Sequence, residues 1–109
     1  MIAPDALASL RPFSNGVKAL SEGGLDLILL PGLQLPVKQK VVALDALLRP
    51  GPMHGYTTRM FVSQVVPELG LAMNPYSLLG RTWYSPSWQN IPESLPLSRM
   101  LLAHMAIYR

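Results

Sequence analysis

The chain has 109 residues and no cysteine, so it has the length of one domain and lacks a thiolate nucleophile, a disulfide and any cysteine-ligated metal. Its formal net charge is +3, but the basic residues are spread along the sequence, which argues against a nucleic-acid-binding surface. No apolar run approaches the roughly 18 residues that cross a membrane, and no basic residues precede the first apolar positions, as they would in a secretory signal. We therefore expect a cytoplasmic protein that does not enter the membrane.

Residues 1–24 predict a helical segment that is broken into two short pieces. Residues 6–10 favour a helix, and Pro12 ends it because proline does not continue a helix. Residues 17–21 predict the second piece, which Gly23-Gly24 caps.

Residues 25–66 predict a meander of antiparallel strands. Leu25, Leu27 and Leu29 alternate with their neighbours up to Pro31-Gly32, where we expect a turn. Residues 41–48 predict a second strand that is half-buried. One face of that strand is wholly apolar and consists of Val42, Leu44, Ala46 and Leu48. Residues 57–66 predict a third strand, which Pro67 ends.

Residues 67–96 predict a long irregular loop, because prolines and glycines interrupt them. The loop holds both tryptophans, Trp83 and Trp88, which favours a functional role. Residues 97–109 predict a C-terminal helix. Its main apolar face consists of Leu97, Met100, Leu101, His104, Met105 and Tyr108. Its other positions are largely apolar too, which indicates burial on two sides or a partner surface.

Residues 1–109 thus predict a single α+β domain, with an antiparallel meander of three to four strands between an N-terminal and a C-terminal helix. The two histidines, His54 and His104, have no second ligand at metal-binding spacing, so we expect no metal and no cofactor. A hydrogen-bonded core position is the favoured interpretation of His104, because it lies on the apolar helix face. Serines at 77, 85 and 87 are the remaining candidate nucleophiles, but a serine needs a base, and a turn or capping role is favoured for each.

Four short segments, taken in order, carry a resemblance to a known family. The first is Leu-Gln-Leu-Pro at 33–36 before Val-Ala-Leu-Asp-Ala-Leu-Leu at 42–48, and the second is Gly55-Tyr56 before Met-Phe-Val at 60–62. Pro-Glu-Leu at 67–69 follows, and the last is Gly-Arg-Thr-Trp at 80–83 with Trp88 and Pro92 before the final helix. This string resembles a bacterial branch of the ubiquitin-conjugating-enzyme-like superfamily, which is associated with ubiquitin-like proteins.

The sequence also departs from the family pattern. Thr57 and Thr58 stand where the family has a proline, and the stretch between Trp83 and Trp88 is shorter than its counterpart and lacks the expected histidine. The family carries its cargo as a cysteine thioester, and a chain without cysteine cannot form one.

The resemblance implies a helix–meander–extended-segment–helix order and two partners, an adenylating activating enzyme and a ubiquitin-like protein. It leaves two modes open, namely a serine oxyester on Ser77, which lies just before Gly80 where the family places its acceptor, and a non-catalytic partner role. The second mode is preferred because no base is visible. The candidate binding residues are Arg81, Trp83, Tyr84 and Trp88. An alternative to the family function is a protein-interaction module that docks through the apolar C-terminal helix and the Trp83/Trp88 loop.

Overall fold

Six strands form one antiparallel sheet between two short helices in a computed structural model that describes residues 2–66, 73–86 and 91–108. The helices are α1 (Pro4–Ala8) and α2 (Leu97–Ala106). The strands are β1 (Lys18–Glu22), β2 (Leu25–Val37), β3 (Lys40–Arg49), β4 (Arg59–Val62), β5 (Met73–Leu78) and β6 (Arg81–Pro86). Their order in the sheet is β1-β2-β3-β4-β6-β5. The predicted α+β class is confirmed, but the described residues hold six strands rather than three to four.

Each of three hairpins in this sheet has a two-residue turn in which both residues have positive φ. The turns are Gly23-Gly24, Lys38-Gln39 and Leu79-Gly80, which is the backbone of a type I′ turn and matches the twist of the flanking strands. Gly23-Gly24 is therefore a hairpin turn and not a helix cap. For this reason the helical prediction for residues 17–21 was wrong, and β1 lies there, paired with β2 from Lys18↔Leu29 to Glu22↔Leu25.

β2 continues through Pro31-Gly32, where a turn was predicted. The pairing with β3 advances from Leu30↔Ala46 to Leu33↔Leu44, so β2 has one extra residue there and forms a β-bulge. Gly32 supplies a φ of +63° at the bulge, and its N–H donates to the Asp45 carboxylate at 3.0 Å. The bulge reverses the alternation, so that even-numbered residues before it and odd-numbered residues after it face the same core.

The segment predicted as a long loop contains the β5–β6 hairpin. Pro75 does not prevent this pairing, because it lies on the outer edge strand, where a missing N–H removes no bond within the sheet. The third predicted strand is shorter than expected, since β4 covers only Arg59–Val62. Just before β4, the side-chain hydroxyls of Thr57 and Thr58 donate to the Ile91 carbonyl.

The sheet is buried on both faces. The core on the helix side contains Leu30, Leu48 and Val62 together with Met100 and Leu101 of α2. The opposite core consists of Leu27, Leu47, Phe61, Leu78 and Trp83. The predicted apolar faces of β3 and of the C-terminal helix are therefore confirmed. On α2, the large apolar residue that stays exposed is Leu102, with 42 % of its surface accessible. The second apolar side predicted for this helix is therefore narrow.

The two edges of the sheet approach each other at one end. Both carboxylate oxygens of Glu22, at the end of β1, accept the backbone N–H of Leu79 in the β5–β6 turn, at 3.1 Å each. β1 and β5 are the outermost strands, and neighbouring strands lie about 4.8 Å apart. The sheet must therefore curl around the opposite core to bring them together. In the described part of the chain, no helix is long and apolar enough to cross a membrane.

Candidate functional site

Ser77, the predicted acceptor, lies exposed on β5 opposite Thr82. Its hydroxyl forms no hydrogen bond with any residue in the described ranges. The ring of His54 stacks on Tyr76 with 5.0 Å between centroids, and successive strand residues point to opposite faces, so His54 lies on the other side of the sheet from Ser77. His104 is buried and bonded elsewhere. Neither histidine is placed to take the Ser77 proton.

His104 is part of a buried chain of hydrogen bonds that holds the segment before α2. Its Nε2 lies 2.8 Å from the Thr58 hydroxyl, and that hydroxyl donates its single proton to the Ile91 carbonyl at 2.7 Å. The hydroxyl must then accept from His104, so Nε2 carries the proton and Nδ1 does not. Burial, together with the positive charge of Arg59, lowers the His104 pKa to about 4. His104 is thus a neutral structural donor, which agrees with the core position favoured by the sequence.

Arg59 is fully buried at the start of β4, with 0 % of its surface exposed. Its Nη1 donates to the Tyr76 hydroxyl at 3.1 Å and to Nδ1 of His54 at 3.2 Å, and its Nη2 donates to the Pro86 carbonyl at 3.2 Å. Within the described ranges, Nε has no hydrogen-bond partner and no carboxylate pairs with the guanidinium. The described hydrogen-bond partners of this cation are therefore neutral.

Aromatic rings surround the same guanidinium. Its carbon lies 4.6 Å from the ring centres of Tyr56 and Tyr76 and 5.1 Å from that of Phe61. Ring faces attract a cation, and this attraction is stronger when water is excluded. We call Arg59, His54, Tyr56, Phe61 and Tyr76 the arginine cluster. Arg59 is one of the basic residues whose spread along the sequence suggests a solvated surface, but the structure places it in the interior.

His54 accepts from Arg59 through Nδ1, so the proton of its neutral ring is on Nε2. Partial burial of the largely exposed His54 ring and the charge of Arg59 both lower the His54 pKa. The His54 ring is thus neutral although it lies next to a cation. The arginine cluster joins β4 and β5 to the turn at residues 53–56, which is closed by backbone hydrogen bonds between Met53 and Tyr56.

The predicted binding residues separate into different environments. Trp83 is fully buried, and its Nε1 donates to the Leu78 carbonyl at 3.1 Å. Arg81 covers the Trp83 ring at 4.4 Å and forms an ion pair of 3.3 Å with Asp45. Tyr84 is half-buried against the helix-side core, on the other face from Trp83. Trp88 lies outside the described residues. Of the described members, Arg81 is the exposed one, and the Trp83 indole is not open to a partner in this conformation.

An open cleft of about 460 Å³ lies between residues 11–16 and residues 31–34 of β2. Ser14, which is buried, fixes the first wall to the second because its hydroxyl donates to the Pro31 carbonyl at 2.7 Å. Arg11 is the charged residue that lines the cleft. No sequence signal pointed to this cleft, because one of its walls lies at the β2 bulge, where the sequence predicted a turn.

A metal centre would need several ligands in one place. No group of three or more histidine, cysteine, aspartate or glutamate side chains comes together among the residues that the structure covers.

Comparison of the chain with protein-family models, with curated proteins and with solved structures finds no match in any of the three.

Proposed function

We propose that this chain is a cysteine-less ubiquitin-conjugating-like protein of a bacterial ubiquitin-like modification pathway, acting in the cytoplasm as a binding partner rather than as a carrier of the modifier. The ordered sequence resemblance motivates the proposal, and the helix–meander–helix order is compatible with it. The proposed partners are the adenylating enzyme and the ubiquitin-like protein.

The surroundings of Ser77 favour the non-catalytic mode over the serine oxyester. A hydroxyl needs a base to become a nucleophile at neutral pH, and both histidines of the chain are committed to Thr58 and to Arg59. An oxyester is also less reactive than a thioester, so rapid transfer would require strong positioning and oxyanion stabilisation. Among the residues that the structure describes, neither a base nor a hydrogen-bond donor is bonded to the Ser77 hydroxyl. This single observation carries the choice.

Arg81 is the favoured contact residue of the proposed surface. It is exposed on β6 and is held by the Trp83 ring and by Asp45, so it is oriented before a partner arrives. A fixed arginine loses little side-chain freedom on binding, and arginine is enriched among residues that dominate interface energies. Trp83 supports Arg81 from below rather than contacting the partner.

The test is reconstitution with an adenylating enzyme and a ubiquitin-like protein of a bacterial ubiquitin-like pathway, in the presence of ATP. Intact mass spectrometry detects any covalent adduct, and size-exclusion chromatography detects a stable complex. We expect co-elution without an adduct, and a weaker complex for Arg81→Ala. Arg99→Ala removes an exposed arginine of α2 and serves as the matched control.

Two results would change the conclusion. A base-labile adduct that is lost in Ser77→Ala but kept in Ser21→Ala, an exposed serine of β1, would establish the oxyester mode. Absence of both adduct and complex would reject the pathway altogether. The alternative interaction module has less support, because α2 exposes little apolar surface beyond Leu102.

A further inference from the structure

β2 has a long outer edge that β1 does not cover. β1 pairs only with Leu25–Leu29, whereas β2 continues to Val37. From the bulge onwards, the described residues place no strand beside β2 on the side away from β3. An uncovered strand edge presents backbone donors and acceptors that can pair with another chain.

The β2–β3 turn determines which backbone groups point outward. Val37 and Lys40 flank a two-residue turn, so they form a hydrogen-bonded pair, and pairs of this kind alternate along an antiparallel ladder. Leu35↔Val42 is therefore hydrogen-bonded, and the N–H and C=O of Gln34 point away from β3. Pro36 also faces outward, where its missing N–H stops a further strand from continuing along the edge.

The cleft lies along this same edge. Its lining includes Gln34 on β2 and residues 11–16 on the facing wall, and Ser14 fixes the separation of the two walls. Arg11 is exposed and forms no ion pair with a described residue, and no acidic side chain is among the described residues that line the cleft. A cleft of this volume falls in the usual range for small-ligand sites.

We propose that this cleft binds the C-terminal end of an extended peptide as a short extra strand. Gln34 exchanges two backbone hydrogen bonds with the peptide, and Arg11 pairs with the terminal carboxylate. Strand addition at a sheet edge and capture of a terminal carboxylate are established modes of peptide recognition. A chain end is favoured over a continuous strand because β1 begins at Lys18 on one side and Pro36 limits the edge on the other. The proposal does not depend on the proposed function.

Titration of the ¹⁵N-labelled protein with a synthetic peptide, acetyl-Val-Thr-Val-Gly-Gly, tests the proposal by NMR. Recognition through backbone bonds tolerates many side chains, so a generic extended peptide is a fair probe. We expect saturable shifts of the Gln34, Asn15 and Gly16 amides, with a downfield shift for Gln34 as its N–H gains an acceptor. The same peptide with a C-terminal amide should bind about fivefold to tenfold more weakly.

Variants separate the two contacts. Arg11→Gln should remove the preference for the free carboxylate, whereas Arg99→Gln, at an exposed arginine of α2 that does not line the cleft, should retain it. Gln34→Pro should abolish binding because it removes the outward N–H, whereas Gln34→Ala should bind normally because only the backbone is used. The spectrum of each free variant shows whether it folds. Absence of shifts at millimolar peptide, shifts confined to another surface, or loss of binding in Gln34→Ala would overturn the proposal.

Discussion

At the scale of single residues, Arg59 shows how this chain keeps a charge in its interior. A buried cation is usually compensated by an anion, because removing it from water costs several kcal/mol. Here three neutral acceptors and three aromatic rings take that role in the described structure. The planar guanidinium lies 4.6 Å from the ring centres of both Tyr56 and Tyr76, and a flat cation packs on aromatic rings in a way that a compact ammonium cannot. Shape, as much as charge, therefore keeps this position an arginine.

A substitution pair distinguishes shape from charge at Arg59. Arg59→Lys retains the charge but loses the flat stacking surface, so we expect it to lower the free energy of unfolding by about 3 kcal/mol. Arg59→Met fills the slot without a charge and should lower it by about 1 to 2 kcal/mol, mainly through the unpaired acceptors. Urea denaturation measures both values. The order is the test, because a lysine variant more stable than the methionine variant would mean that charge alone matters.

The buried position of His104 makes the stability of the fold depend on pH. Its pKa is lowered from 6.5 to about 4, so between these pH values the unfolded chain binds a proton that the folded chain does not. The unfolding free energy should then fall as the pH decreases from about 6.5 to about 4, by about 3 kcal/mol, and this group should have no further effect above that window. Urea midpoints measured across this range give the slope.

His104→Gln is the matched variant for the pH effect. A glutamine amide can still donate to the Thr58 hydroxyl but does not titrate, so the dependence should become much flatter whatever the absolute stability. His54→Gln should leave most of the dependence in place, because His54 is exposed. An unchanged slope in His104→Gln would show that other groups cause the acid sensitivity.

The sequence predicted His104 better than it predicted Arg59, for a physical reason. His104 lies on a helix face whose periodicity spans several turns, and a long period is readable from sequence alone. Arg59 lies in a strand of only four residues, all of them buried. The one indication in the sequence is that Arg59 is two residues before Phe61, so the two side chains lie on the same face of the strand. The rings around it come from Tyr56 and Tyr76, which only the folded sheet brings together.

At the scale of elements, the hairpin turns decide where the strands begin. Gly23-Gly24 and Leu79-Gly80 contain the residue that tolerates positive φ, and such pairs can be recognised as turns from sequence. Lys38-Gln39 contains no such residue, yet Lys38 has φ of 46° and Gln39 has φ of 70°. This turn is determined by the apolar register of β2 and β3 rather than by its own residues. That is why the sequence could not identify it.

The Lys38-Gln39 turn is therefore a place where stability can be gained. Replacing it with Asn-Gly, as Lys38→Asn with Gln39→Gly, puts favoured residues at both positions and should raise the free energy of unfolding by about 1 kcal/mol. Gly23→Ala, at a φ of +57° with open space around it, should lower it by about the same amount. Thermal and urea unfolding measure both. A destabilised Asn-Gly variant would contradict the left-handed turn.

At the scale of the whole molecule, one sheet separates two apolar cores. The sequence indicated the helix-side core, because the face of β3 and the helix pattern are local signals. It did not indicate the opposite core, which contains one residue from each of five strands, namely Leu27, Leu47, Phe61, Leu78 and Trp83. It also did not indicate the hydrogen bond between Glu22 and Leu79. These depend on strand order and curl, which are set by pairing over long sequence distances. The bulge and the cleft beside it depend on the same pairing.

Leu47 and Leu48 test whether the two cores are one cooperative unit. They are adjacent in β3 and equally buried, but Leu47 belongs to the opposite core and Leu48 to the helix-side core. Because both cores share every central strand, neither can unfold without exposing the other. We expect Leu47→Ala and Leu48→Ala each to lower the unfolding free energy by about 2 to 5 kcal/mol, with far-UV circular dichroism and tryptophan fluorescence following one transition.

Leu47→Met and Leu48→Met keep most of the side-chain volume and provide folded controls. Each should lower the unfolding free energy by less than about 1.5 kcal/mol. If Leu48→Ala shifted the dichroism transition while the fluorescence transition stayed in place, the helix-side core would unfold by itself and the sheet would not couple them.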